Sequence, residues 1–265
     1  MKQRVIIAYD GSPDGKQALT LGNLLCRSFG AKPVIAYRGG ERVSEMDQGY
    51  FRNTANKSPA RGLQMLTDQV RPVAVVVGSP SGGSNSSGTS SSENKRILAA
   101  GNCPVAVAPP ASLALRGFSK ICVAVNGHDS AYRALGEAAK MARFLGVGLR
   151  IVSVLESASD SGRNGRSKLS KARIDRATGI LEEAARRVPA DVKVDLVGLV
   201  GNPAEELGRY SDGLDIMVVG SQGQGRFGRP LHRSVTSHLM EHARCPLLVT
   251  PEGTLKPKRY SVSFA

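Results

Sequence analysis

The sequence predicts a doubly wound α/β protein made of two like domains in tandem, each a parallel five-stranded sheet with helices on both faces. Three observations carry that prediction. First, three segments recur in the same order. Arg4-Val-Ile-Ile-Ala-Tyr-Asp-Gly-Ser12 returns as Lys120-Ile-Cys-Val-Ala-Val-Asn-Gly-His128, and Val73-Ala-Val-Val-Val-Gly-Ser79 returns as Leu214-Asp-Ile-Met-Val-Val-Gly-Ser221. Asn102-Cys-Pro-Val-Ala-Val-Ala-Pro109 returns as Arg244-Cys-Pro-Leu-Leu-Val-Thr-Pro251. A repeat this long is a duplicated domain, not a solenoid unit, so each copy should carry its own core. Second, short apolar runs alternate with helical periodicity, as expected for parallel strands buried on both faces and joined by right-handed crossovers. Third, 265 residues, 41% of them hydrophobic, suffice for two compact domains.

The second copy is the easier to follow. Residues 121–125 form a continuous apolar strand, and Ala131, Ala134, Leu135, Ala138, Met141, Ala142 and Leu145 fall on one helical face. A strand over 149–155 follows, then a helix with the stripe Ile174, Ala177, Ile180, Leu181, Ala184, Ala185 and Val188, then a strand over 192–200. Pro203 opens a short helix with Asn202 as its cap, since proline suits the first helical position and asparagine accepts from the free amides. A strand over 216–219, a helix over 234–243 and a strand over 247–250 complete the copy.

The first copy begins and ends alike but is shortened in the middle. Asp10 and Asn126 differ by 116 positions, whereas Gly78 and Gly220 differ by 142, so 26 residues are missing between these landmarks. The gap follows the second strand, 34–37, where residues 38–57 are polar and weakly periodic. The prediction is loss of most of one helix, with the fate of the third strand left open. Residues 79–92 are almost all Ser, Gly, Asn, Thr and Pro and read as a mobile loop. Domain 1 then spans 1–110, the linker 111–118, domain 2 119–252, and a basic tail 253–265.

The net charge of +14 is shared evenly. Residues 1–116 hold 14 Lys/Arg against 7 Asp/Glu, and residues 117–265 hold 22 against 15. A spread excess, with 5% aromatics and no recognised motif, argues against nucleic-acid binding and for a general attraction to polyanions such as nucleotides. No apolar run reaches the roughly 18 residues of a bilayer span. Nothing at the start reads as a signal peptide, and the four cysteines are widely spaced within apolar segments, so a reducing cytoplasm is expected.

Two segments bear chemistry. Asp10-Gly-Ser12 ends a strand, with Ser12 positioned to cap the helix that Pro13 opens, at the sheet edge where open α/β folds bind ligands. In copy two, Gly220 and Gly223 let backbone amides approach a ligand, and Ser234 starts a helix whose unpaired amides attract anions. Arg226, Arg229 and Arg233 add charge to what would be a triphosphate cradle.

Strand–Asp–Gly–Ser, then Val-Val-Gly-Ser-x-Gly, then a helix ending in Cys-Pro-Leu-Leu-Val together resemble the universal stress protein family, and both copies do so over nearly their whole length. The resemblance implies a Rossmann-like fold of the adenine nucleotide alpha hydrolase kind and a cytoplasmic stress-response regulator, not an enzyme. It also implies pairing of the two domains through their fifth strands, and leaves a homodimer open. Members that bind ATP carry a Gly-x-x-Gly-x(9)-Gly-Ser/Thr loop and an Asp after strand one. Carried over to copy two, the ATP contacts are Val125, Asn126, Gly127, Gly220, Gly223, Gln224, Arg233, Ser234, Val235 and Thr236, with Mg²⁺ accompanying only bound ATP. In copy one they are Asp10, Gly78 and Ser92. Neither loop is complete: Arg233 replaces the last glycine and Asn126 the Asp, while copy one has Ser81 and Ser91 at glycine positions. The alternative within the family is a protein–protein interaction module that binds no nucleotide.

Two other motifs are weaker. Gly223-Gln-Gly-Arg-Phe-Gly228 spells a dinucleotide fingerprint, but Pro230 and further loop follow where a helix is required. His238 and His242 share a helix face as in zinc proteases, yet the sequence shows no third ligand in a suitable place.

Overall fold

The computed structural model describes residues 3–37, 50–53, 59–79, 91–100, 103–110, 112–115, 117–156, 171–221 and 234–251. Copy one runs β1 (Arg4–Tyr9), α1 (Pro13–Phe29), β2 (Lys32–Tyr37), β3 (Tyr50–Asn53), α2 (Pro59–Val70), β4 (Ala74–Val77), α3 (Ser91–Ala100) and β5 (Val105–Val107). Copy two runs β6 (Ile121–Ala124), α4 (Asp129–Leu145), β7 (Leu149–Leu155), α5 (Lys171–Arg186) and β8 (Val194–Val200). It closes with α6 (Pro203–Tyr210), β9 (Ile216–Gly220), α7 (Val235–His242) and β10 (Leu247–Thr250).

Local chemistry sets the helix ends. Ser12 accepts from the Gly15 amide at 3.0 Å ahead of Pro13, and Asn202 accepts from the Ala204 amide at 2.9 Å ahead of Pro203. Gly30 and Gly146 end α1 and α4 at φ 60° and 66°, a left-handed turn that a side chain would disfavour.

The described strands form one sheet in the order β3-β2-β1-β4-β5-β10-β9-β6-β7-β8. Within each copy neighbouring strands are parallel, and the copies join through the antiparallel pair β5–β10, with Leu247 opposite Val107, Leu248 opposite Ala106 and Val249 opposite Val105. Pairing these strands removes two apolar edges at once. The order is palindromic about this junction, so the copies face each other across a pseudo-two-fold axis.

The middle of copy one is where the structure adds most to the sequence reading. The third strand of copy one survives as β3, parallel to β2 with Phe51 opposite Ile35. Its four residues, Tyr-Phe-Arg-Asn, are too few to show periodicity, and backbone pairing to β2 defines the strand instead. Among the described residues no helix lies between β2 and β3, where copy two has α5. Ser91 and Ser92, read as loop, begin α3, whereas residues 80–90 of that loop lie outside the described residues, as does the tail.

Nor does each copy keep a core to itself. On one face Val5, Ile7, Ala106, Val123, Ile151, Val218 and Leu248 meet α1, α4 and α5; on the other Ile6, Val75, Val105, Cys122, Met217 and Val249 meet α2, α3, α6 and α7. Each layer runs through both copies because the sheet does. Lys95 of α3 and Glu241 of α7 add an ion pair of 2.8 Å across the boundary. The stripe on α5 is also less buried than its periodicity suggests. Leu181 and Ala184 are buried but Ile174 is 45% exposed, since α5 packs on the outermost strands β7 and β8.

Candidate functional site

The strand order puts a topological switch point in each copy, where the chain leaves the sheet in opposite directions from adjacent strands. In copy one this is the end of β1 beside β4, and in copy two the end of β6 beside β9.

At the first switch point Asp10 shapes the turn. Its Oδ1 accepts from the Ser12 amide at 3.0 Å and from Ser12 Oγ at 2.6 Å, and Gly11 takes φ 84°. A Cβ on Gly15 would fall 2.4 Å from that same oxygen, so a side chain there would push the Asp10 carboxylate out of the turn. Across the switch, Gly78 lies against buried Asp14, at 3.1 Å from an added Cβ to both Cβ and O of Asp14. Asn94, fully buried in the first turn of α3, donates from Nδ2 to the Gly78 carbonyl at 3.1 Å. Its Oδ1 is buried without a partner.

The second switch point repeats the backbone and changes the side chains. Val125 is buried and Asn126 exposed, with Asn126 Oδ1 accepting from the His128 amide at 3.2 Å and Gly127 at φ 83°. His128 occupies the N-cap of α4 but makes no side-chain cap bond. A Cβ on Gly220 would meet the carbonyl carbon and oxygen of Ser130 at 2.4 Å, so β9 ends against the first turn of α4 at a distance only glycine permits. Ser234 caps α7 by accepting from the Ser237 amide at 3.1 Å, and Thr236 Oγ1 donates to the Gly220 carbonyl at 3.3 Å. Val235 is half-buried against the face that carries α6 and α7.

The fold thus brings Val125, Asn126, Gly127, Gly220, Ser234, Val235 and Thr236 to one corner of copy two. Gly223, Gln224 and Arg233 lie outside the described residues, as does Ser81; Ser92 is placed by its backbone in the first turn of α3. Thr236 was expected to face a ligand, but it is 8% exposed and spends its hydroxyl on the strand. Asn94 matches Thr236 at the offset of 142 that relates Gly78 to Gly220, so both copies tie the third-helix start to the strand-end glycine. Sequence reasoning passed over Asn94, Asp14 and Ser130; the constant offset was the signal that could have found Asn94.

His238 and His242 stack with ring centroids 4.2 Å apart and planes 13° from parallel, and burial, then the neighbouring ring, hold His238 below its ordinary range. Among the described residues no three His, Cys, Asp or Glu side chains gather as metal ligands. Burial pushes the thiols of Cys103, Cys122 and Cys245 up to about 12 and that of Cys26 to about 11, so none is a thiolate near neutrality. No described helix is long and apolar enough to cross a membrane.

Comparison with known proteins agrees with this geometry. The chain is similar to a universal stress protein from Archaeoglobus fulgidus, at 14% identity and TM-score 0.68 over 94% of this chain and 98% of that one. It is similar also to a protein of unknown function from Pseudomonas aeruginosa, at 11% identity and TM-score 0.68 over 94% and 92%. At these identities the likeness establishes the fold. A universal stress protein in complex with cAMP matches 50% of this chain and 97% of its own at 24% identity and TM-score 0.41, too partial a likeness to assign a ligand here. The model of the universal stress protein family matches residues 117–251, just over half of the chain and the whole of copy two, and the chain belongs to that family.

Proposed function

We propose that copy two is the ligand-responsive half of a cytoplasmic stress-response regulator, and that its β6/β9 switch point takes ATP or a related adenine nucleotide. The observation that carries this reading is the corner at Gly220. Bare backbone there adjoins the first turn of α4, and Thr236 ties the capped start of α7 to the same residue. Two helix N-termini at one corner favour an anion, because their aligned peptide dipoles and unpaired amides are positive. Where copy one has Asp10 and Asp14, copy two has Asn126 and Ser130, which carry no charge against a phosphate. Phosphates would be held by the backbone around Gly220 and Gly223 and by Ser234, with Arg233 supplying a guanidinium and Mg²⁺ travelling with ATP. Copy one, with carboxylates at its corner, serves as the structural partner. The protein works by binding and signalling, without turnover.

Isothermal titration of the full chain with Mg-ATP tests this. Binding should weaken about 10-fold or more in Arg233→Glu, where a cation becomes an anion, and stay unchanged in Asp10→Asn. Equal affinity in wild type and Arg233→Glu would remove Arg233 from the site, and absence of heat up to millimolar ATP would remove the site itself.

A second reading, an interaction module of the same family, has one observation in its favour. The edge strand β8 is seven residues long and exposes Leu196 at 41% and Val200 at 50%, a surface onto which another strand could add. Nucleotide retained through purification would favour sensing over this alternative. Nucleic-acid binding, the remaining class, would announce itself by steep loss of affinity with salt.

A further inference from the structure

Copy two has a second recess, at the opposite end of its strands from the Gly220 corner. A cleft of about 240 Å³ opens where β6, β7 and β8 begin, lined by Lys120, Gly148, Arg150, Lys193, Asp195 and Leu214 among others. The strand register explains the opening. Cys122, Arg150 and Asp195 stand side by side across the three strands, and two residues earlier Lys120, Gly148 and Lys193 do the same. Residues two apart on a strand share a face, so both rows belong to the layer that holds α6. Gly148 is thus a gap in the outer row, flanked by two lysines whose backbones stand about 10 Å apart, twice the usual strand spacing.

No backbone constraint explains that gap. Gly148 is absent from the glycines of positive φ, and a Cβ there would meet nothing nearer than the Lys193 carbonyl oxygen at 3.5 Å, an ordinary contact. Copy one, at the offset of 116, has Lys32 in the place of Gly148 and Val34 in that of Arg150.

The charge around the gap is positive. Arg150 is held in place, since its Nε donates to Asp195 Oδ2 at 2.7 Å and Tyr210 of α6 hydrogen-bonds the same guanidinium. Arginine carries five donors, so these two bonds do not exhaust it. Nearby Asp215 is engaged by the Ser119 amide, the Ser119 hydroxyl and the Lys120 amide at 2.7, 2.7 and 2.8 Å. Lys120 feels the charge of Asp215, yet neither lysine forms an ion pair among the described residues. Three cations therefore line the cleft against one carboxylate, Asp195.

We propose that this cleft at the strand starts is a second ligand site, taking a phosphate group, free or carried on a short carbon stem. Lys120 and Lys193 supply point charges from either side of Gly148, and Arg150 an oriented donor at the back. Size decides against a nucleotide, because drug-sized ligands occupy roughly 300–1,000 Å³. The inference stands whether or not the Gly220 corner takes ATP.

Titration of the full chain with glycerol phosphate and with inorganic phosphate, at constant ionic strength, tests it through backbone amide resonances. The Lys193 amide should shift saturably. Lys120→Gln and Lys193→Gln should each weaken binding about 5-fold or more, while Arg233→Glu leaves it unchanged. Gly148→Leu should remove binding by filling the gap. Tighter binding of glycerol phosphate would assign the site to a monoester and equal binding to the free ion, and either supports the proposal. Shifts that chloride reproduces at the same ionic strength would be screening and overturn it. So would wild-type affinity in both lysine variants, or a loss in Arg233→Glu, which would move the phosphate to the other end of the sheet. Should Gly148→Leu fail to fold, the exposed lysines still decide.

Discussion

The two switch points share a backbone and differ in charge. Both have a glycine at the strand end, Gly78 just after β4 and Gly220 closing β9, both tie that glycine's carbonyl to the first turn of the next helix, and both place a left-handed glycine before a helix start. Copy one then fills its corner with Asp10, Asp14 and an amide whose oxygen has no partner, whereas copy two has Asn126, Ser130 and a threonine hydroxyl. The copies thus share the backbone that holds the sheet edge together and differ in the side chains packed around it. The helix starts differ in the same sense: Ser12 both caps α1 and steadies Asp10, while His128 leaves α4 without a side-chain cap.

The largest expected difference between the corners is steric. Gly220→Ala would set a Cβ 2.4 Å from the Ser130 backbone and should cost about 3 kcal/mol, while Gly78→Ala, at 3.1 Å from Asp14, should cost about 1 kcal/mol. Urea midpoints of the two variants measure this, and equal losses would mean that the corners are equally tight. Next comes capping. Ser12→Ala should destabilise by about 1 kcal/mol and His128→Ser should stabilise by about 0.5 kcal/mol, read from thermal unfolding. A stabilising effect of Ser12→Ala would break the asymmetry.

The smallest effect concerns pH. His238 matches Arg96 of α3, so the titratable group belongs to copy two. Burial and His242 lower its pKa against the opposing pull of Glu205 and Glu241. The folded protein therefore prefers the neutral ring. That contribution is whole above the ordinary histidine pKa of about 6.5 and fades as pH falls through the lowered value. His238→Gln should consequently lose less Tm than wild type between about pH 7.5 and about pH 5.5, and identical profiles would show the ring to be indifferent.

Much of the candidate site was legible because its signals are local. Ser12, Asn202 and Gly30 act on amides and carbonyls within a few residues, and Asp10 and Asn126 follow strands that announce themselves by apolar runs. β3 was not legible, since pairing to β2 makes it a strand. The exposure of Ile174 was not legible either, because helical periodicity says which face packs but not how much sheet lies beneath it. Thr236 falls at the corner with its hydroxyl on the Gly220 carbonyl, and since a hydroxyl can serve a ligand or a carbonyl, nothing in the sequence distinguishes the two.

Sequence alone determined that this protein is a domain written twice, with strands and helices in a fixed alternation and glycines where the chain must turn. Tertiary structure decided that the two cores merge, that Gly220 must be glycine because Ser130 lies against it, and that Asn94 reaches Gly78. The reason is range. Periodicity and caps depend on hydrogen bonds spanning about four residues, whereas these contacts join segments that meet only once the strands share a sheet.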